Sequence, residues 1–143
     1  MATSRLLWCM SLQEATRVLS RGLPAGTSLI SIGDPDGPAS GHPLPPKEWE
    51  TLNIDFADVT SPGDPGAITD SQALKLVRFL ESWEAEPGRG LYVHCVAGRS
   101  RSQAIVRYVK SRWDHPWETC PWNPDDTPNY YVLGKLREND KTM

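Results

Sequence analysis

Hydrophobic and polar positions alternate with two periods along this chain, and the two interleave. Ser11-Leu12-Gln13-Glu14 is a capping box and predicts a helix to about Ser20. Thr27 to Ile32 reads as a strand stopped by Gly33-Asp34-Pro35. Residues 33–46 form a loop rich in Gly and Pro. Leu52, Ile54 and Phe56 alternate with Asn53, Asp55 and Ala57, the period of a half-buried strand. A turn-rich run follows Asp58, and Thr69-Asp70-Ser71-Gln72 is a second capping box. Beyond it Ala73, Leu76, Val77, Leu80 and Trp83 recur at helical spacing, so a helix runs to about Glu84 and these five are candidate core. Leu91-Tyr92-Val93-His94 is a short apolar run suited to the centre of a sheet. A helix is expected from near Ser100 to about Trp113, and another from about Asn129 to Glu138. A loop rich in Pro and Trp separates them. Strands alternating with helices predict an α/β fold, a central mostly parallel sheet flanked by helices.

At 143 residues the chain is expected to be one domain, residues 1–143. Apolar residues make up 38% and the net charge is -3, which excludes a disordered chain. No run approaches the roughly 18 apolar residues of a membrane span. Leu6 to Met10 is too short for the h-region of a signal peptide. Three cysteines, an odd number, imply no disulfide scaffold, so a cytoplasmic location is expected. Cys9 and Cys120 read as packing thiols. His42 and His115 read as surface loop residues. The histidines and cysteines show no close-spaced ligand pair, so no metal and no cofactor are expected. Trp113, Trp117 and Trp122 are expected to pack their loop on the body of the domain.

The charge is unevenly placed. From Gly88 to Trp113 there are six bases (Arg89, Arg99, Arg101, Arg107, Lys110 and Arg112) and no acid, which leaves nine bases against eighteen acids elsewhere. A basic segment in an acidic chain suits a local anion site or a solvated helix face, and no stable nucleic-acid binding is expected.

Within that segment lies Val93-His94-Cys95-Val96-Ala97-Gly98-Arg99-Ser100-Arg101-Ser102. A buried strand ends at a cysteine, a loop of small residues follows, and then a helix starts. In an α/β fold ligands bind at such a place, outside the carboxyl end of a strand. Loop amides and a helix N-terminus converge there and favour a dianion. Arg101 adds a planar fork of donors to the same point. Such a field also favours a thiolate over a thiol, and a thiolate beneath a bound phosphate is an in-line nucleophile.

His94-Cys95-x5-Arg101-Ser102 resembles the signature loop of the cysteine-based protein tyrosine phosphatases, and its form is similar to that of the dual-specificity branch. The resemblance covers about residues 27–113. Residues 28–32, 52–58 and the helix after Thr69 fall where that family places a strand, the general-acid loop and a helix. The last helix is weakly similar to that of small phosphatases of this type from bacteria and phages. The sulfurtransferases that also carry a cysteine loop have the arginine one place earlier, where this chain has Ser100.

The resemblance implies a phosphomonoester hydrolase that needs no metal and works through a phosphocysteine. Cys95 is then the nucleophile. The amides of Val96, Ala97, Gly98, Arg99, Ser100 and Arg101, with the Arg101 guanidinium, hold the phosphoryl oxygens. Ser102 assists departure of the thiolate, and His94 orients the loop. Arg99 is either a rim charge or a substrate-facing cation. An upstream aspartate protonates the leaving oxygen and then activates water. Asp58, just after the alternating strand, fits that role best, with Asp64 and then Asp55 as alternatives; Asp70 reads as cap chemistry. The expected substrate is a phosphorylated protein, at phosphotyrosine and, in a shallow pocket, at phosphoserine or phosphothreonine. Phosphoinositides, RNA 5′-phosphates and a non-catalytic phosphate-binding module stay open.

Overall fold

The structure is a computed structural model that describes residues 4–21, 26–35, 42–43, 45, 49–61, 63–96, 98, 100–120 and 127–140. The elements are β1 (Arg5–Met10), α1 (Leu12–Ser20), β2 (Thr27–Gly33), β3 (Glu50–Asp55), α2 (Asp70–Glu84), β4 (Gly90–His94), α3 (Arg101–Arg112), β5 (Trp117–Thr119) and α4 (Tyr130–Asn139). The strands form one sheet in the order β3-β2-β4-β1-β5, and every pairing is parallel. The expected α/β architecture, a parallel sheet flanked by helices, is the one observed.

β4 is the middle strand. It lies between β1 and β2, and of its apolar run Leu91, Val93 and His94 are buried and Tyr92 is half-buried. Leu91 and Val93 join Leu7, Cys9, Ile30 and Ile32 in the core beneath α2, α3 and α4. Tyr92 faces the other way and stacks on Trp49 at 5.9 Å. The two capping boxes form as predicted. Ser11 accepts from the Glu14 amide and Thr69 from the Gln72 amide, each with the reciprocal side-chain bond. Asn129 caps α4 by accepting from the Val132 amide.

Two strands differ from the sequence reading. Leu6 to Met10, read only as too short for a signal segment, lies within β1, beside the central strand. Trp117–Thr119, read as loop, forms the edge strand β5 against Arg5–Leu7. Trp117 does pack its segment on the body, stacked on the buried Trp83 at 6.0 Å. Trp113 stands edge-on to Tyr108, and Trp122 lies outside the described residues, as does most of the 33–46 loop. Among the described residues no helix is long and apolar enough to cross a membrane.

Candidate active site

Cys95 is the first residue past β4, and its amide donates to the Met10 carbonyl at the end of β1. Two neighbouring parallel strands thus deliver the loop to the carboxyl edge of the sheet. The thiol is buried. Its Sγ accepts the Gly98 N–H at 3.2 Å and lies 3.3 Å from the Ser102 hydroxyl. Gly98 has φ +74, and a Cβ there would lie 2.6 Å from the Met10 and Ser11 backbone. Only glycine allows the loop to pass that close to β1. The Val96 carbonyl accepts the Leu12 amide, so the first turn of α1 also holds the loop. Ala97 and Arg99 lie outside the described residues.

Ser100 stands at the N-terminus of α3 without capping it through its side chain. The first amides of α3 are therefore not covered from within, which suits an anion. The Ser100 hydroxyl donates instead to Asp58 Oδ1 at 2.8 Å, and Asn129 Nδ2 donates to the same oxygen at 2.8 Å. Asp58 is thereby bonded directly to a residue of the loop. Asp55 accepts from His42, and Asp64 sits in a turn with its backbone bonded to Ser61 and Ala67. Asp70 opens α2 and holds Lys135 and Asn139 of α4.

Arg101 is almost wholly buried. Its Nη1 donates to Asp34 Oδ1 and to the Phe56 carbonyl, both at 2.7 Å, and to the Gly33 carbonyl at 3.3 Å. Its Nε is buried with no partner among the described residues. One edge of the guanidinium is thus tied to the ends of β2 and β3, while another donor is left for a ligand.

His94 is fully buried, with Nε2 2.6 Å from Ser31 Oγ and Nδ1 3.3 Å from the Cys95 carbonyl. Burial holds its pKa below the ordinary imidazole value, and the nearby His42 and Arg101 act the same way. Neutral His94 donates from Nδ1 to the loop carbonyl and accepts the Ser31 hydroxyl at Nε2. His42 extends the chain, bonded to Ser31 at 2.6 Å and to Asp55 at 2.5 Å. It is a half-buried link between β2 and β3, not the free surface residue expected. His115 pairs with Glu84 at 3.3 Å.

Asp34, Asn129, Ser31 and His42 were not foreseen as parts of the site. The basic segment is partly neutralised: Arg89 pairs with Glu86, Arg101 with Asp34, and Arg112 with Glu81 and Asp140. Cys9 packs in the core as expected, but its sulfur lies 2.7 Å from that of Cys120.

No family model matches the sequence, and comparison of sequences alone finds no curated relative. Solved structures do match. The chain is similar to the human tyrosine phosphatase-like serine/threonine/tyrosine-interacting protein, with a TM-score of 0.55 and 20% identity over 91% of this chain and 83% of that one. A mouse putative dual specificity phosphatase complexed with zinc tungstate matches at 0.52, with 20% identity over 92% and 79%. OH1 from the Orf virus, described as a tyrosine phosphatase with triple substrate specificity, matches at 0.50, with 19% identity over 99% and 67%. The five-stranded parallel sheet with its flanking helices is thus a fold that this chain shares, over most of its length, with solved tyrosine and dual-specificity phosphatases and a phosphatase-like protein.

Proposed function

We propose that the protein is a metal-independent phosphomonoester hydrolase that acts through a phosphocysteine on phosphorylated proteins. Phosphotyrosine is the principal substrate, with phosphoserine and phosphothreonine admitted. The carrying observation is the Cys95 sulfur, buried between the Gly98 amide and the Ser102 hydroxyl at the uncapped start of α3.

The Cys95 thiolate attacks phosphorus in line, and the bond to the leaving oxygen breaks as Asp58 gives that oxygen its proton. Ser100 and Asn129 both occupy Asp58 Oδ1, which leaves Oδ2 to make that transfer. Arg101 and the loop amides hold the equatorial oxygens as the group flattens. Asp58, now a carboxylate, takes a proton from water, which attacks phosphorus. The S–P bond breaks, and the Ser102 hydroxyl donates to the departing thiolate.

Hydrolysis of a small aryl phosphate should survive a chelator and be blocked by vanadate, which mimics the trigonal-bipyramidal phosphorus. Cys95→Ser should abolish turnover while keeping vanadate binding. Activity that a chelator removes and a divalent metal restores would overturn the mechanism. Faster turnover of an inositol lipid or a 5′-phosphorylated RNA than of phosphopeptides would move the substrate class and leave the chemistry in place. Phosphate binding without turnover would make the chain a binding module.

A further inference from the structure

Away from the Cys95 loop, two further cysteines meet. Cys9 lies in β1 and points into the core; Cys120 follows the neighbouring edge strand β5. Leu7 pairs with Thr119, so the two thiols come together diagonally across adjacent strands. Their sulfurs are 2.7 Å apart, close to the roughly 2.05 Å of a disulfide bond. Both are free thiols.

Their access differs. Cys9 is buried, whereas Cys120 is partly exposed and lines a cavity of about 680 Å³ between α3, α4 and the end of β5. The described lining includes Arg107, Lys110 and Arg137 and no carboxylate. None of these three cations is in an ion pair with a described residue, unlike Arg89, Arg101 and Arg112 of the same basic segment. The Cys120 pKa is drawn down to about 6, chiefly by the hydrogen bond from the Cys9 thiol, with the Thr119 hydroxyl and the Lys110 charge adding to it. The Cys9 pKa is correspondingly raised. Cys120 is therefore placed as the attacking thiolate and Cys9 as the resolving thiol.

We propose that Cys9 and Cys120 form a reversible dithiol–disulfide pair, oxidised through the cationic cavity by a small disulfide that carries carboxylates. The Cys120 thiolate attacks one sulfur of that disulfide, the S–S bond breaks, and one half leaves as a thiolate. The Cys9 sulfur then attacks Cys120 Sγ in the mixed disulfide, and the second half leaves as a thiolate that takes the Cys9 proton. Two protein thiols are oxidised to one disulfide, and one small disulfide is reduced to two thiols. The site does not depend on the chemistry proposed at Cys95.

The full chain, reduced and freed of reductant, is treated with oxidised glutathione and followed by non-reducing intact mass and peptide mapping. The expected product has lost two hydrogens and carries a Cys9–Cys120 crosslink that dithiothreitol reverses. Cys9→Ala should stop at a stable glutathione adduct on Cys120. Oxidised glutathione, an anion, should react faster than neutral hydroxyethyl disulfide, and cationic cystamine slowest. Lys110→Gln with Arg107→Gln should remove most of that spread, on the order of tenfold. A crosslink that includes Cys95, or no intramolecular crosslink in the folded chain, would overturn the pair. Equal rates for the three disulfides would overturn the role of the cavity. Should the variants not fold, the map and the three rates on the unmodified chain decide both points.

Discussion

At the scale of single residues the site rests on Gly98 and Arg101. Gly98→Ala meets two penalties at once, a left-handed φ and backbone 2.6 Å from the new Cβ. The first alone costs about 1–3 kcal/mol. The chain should fold with a lower urea midpoint, and aryl phosphate turnover should fall by about 10²-fold or more as the donor to Cys95 Sγ moves away. Normal turnover in this variant would show that the loop's approach to β1 is dispensable. Arg101→Lys keeps the charge but loses the planar grip, so the loss should appear in kcat, again about 10²-fold or more. Asp34→Asn leaves the guanidinium and its two carbonyl acceptors and removes only the ion pair. It should cost less than Arg101→Lys, and steady-state kinetics on the two variants would show the reverse order if Asp34 did not merely hold Arg101. The loop residues were legible because they are contiguous. Asp34 and Asn129 reach the site from 67 and 71 positions away, and no local spacing announces such partners.

At the scale of elements, legibility followed locality. Both capping boxes and the five apolar positions of α2 are local patterns, and they form as read. β1 buries Arg5, Leu7 and Cys9 and half-buries Leu6 and Trp8, so apolar residues fall on both faces of the strand and its run from Arg5 carries no hydrophobic period of two. β5 is three residues long and exists through its register with Arg5–Leu7, which the sequence does not display. Arg5 ties these elements together. Its guanidinium donates to the carbonyls of Trp83, Glu84, Glu86 and Arg89 and lies over the Trp83 ring at 4.1 Å. It thereby serves the carbonyl end of α2, whose last turn holds no basic residue of its own. Arg5→Leu should cost about 2–4 kcal/mol, because carbonyls are left unpaired beneath a lost cation–π contact. Thr69→Ala, at the other end of the same helix, should cost about 1 kcal/mol. Chemical denaturation of both variants checks the ranking, and equal costs would deny Arg5 its place in the structure.

At the scale of the molecule, His94 joins the sheet's stability to pH. It lies at the end of the central strand and bonds Ser31 of β2, and the same chain runs through His42 to Asp55 of β3. Burial, opposed by the bond to the Cys95 carbonyl and reinforced by the neighbouring His42 and Arg101, holds its folded pKa below the roughly 6.5 of an exposed imidazole. Between the folded and unfolded values the unfolded chain binds more protons, so stability rises with pH across that window. The contribution is complete above about pH 6.5 and is lost as pH falls from there through the folded pKa. Ordinary carboxylates titrate lower, near pH 4, so the window from about pH 6.5 to 5 isolates the imidazole in part. His94→Gln separates it fully. Glutamine keeps a donor and an acceptor but takes up no proton, so its urea midpoint should vary less with pH than that of the unmodified chain. The unmodified chain should be the more stable at pH 7.5, and its advantage should shrink steadily toward pH 5. An advantage that stayed constant over that range would mean that His94 binds protons equally well folded and unfolded. The neutral hydrogen-bonding role between Ser31 and the Cys95 carbonyl would then be wrong. An advantage that grew on acidification would mean that the folded chain holds His94 as a cation, repelled by Arg101 yet retained by its neighbours.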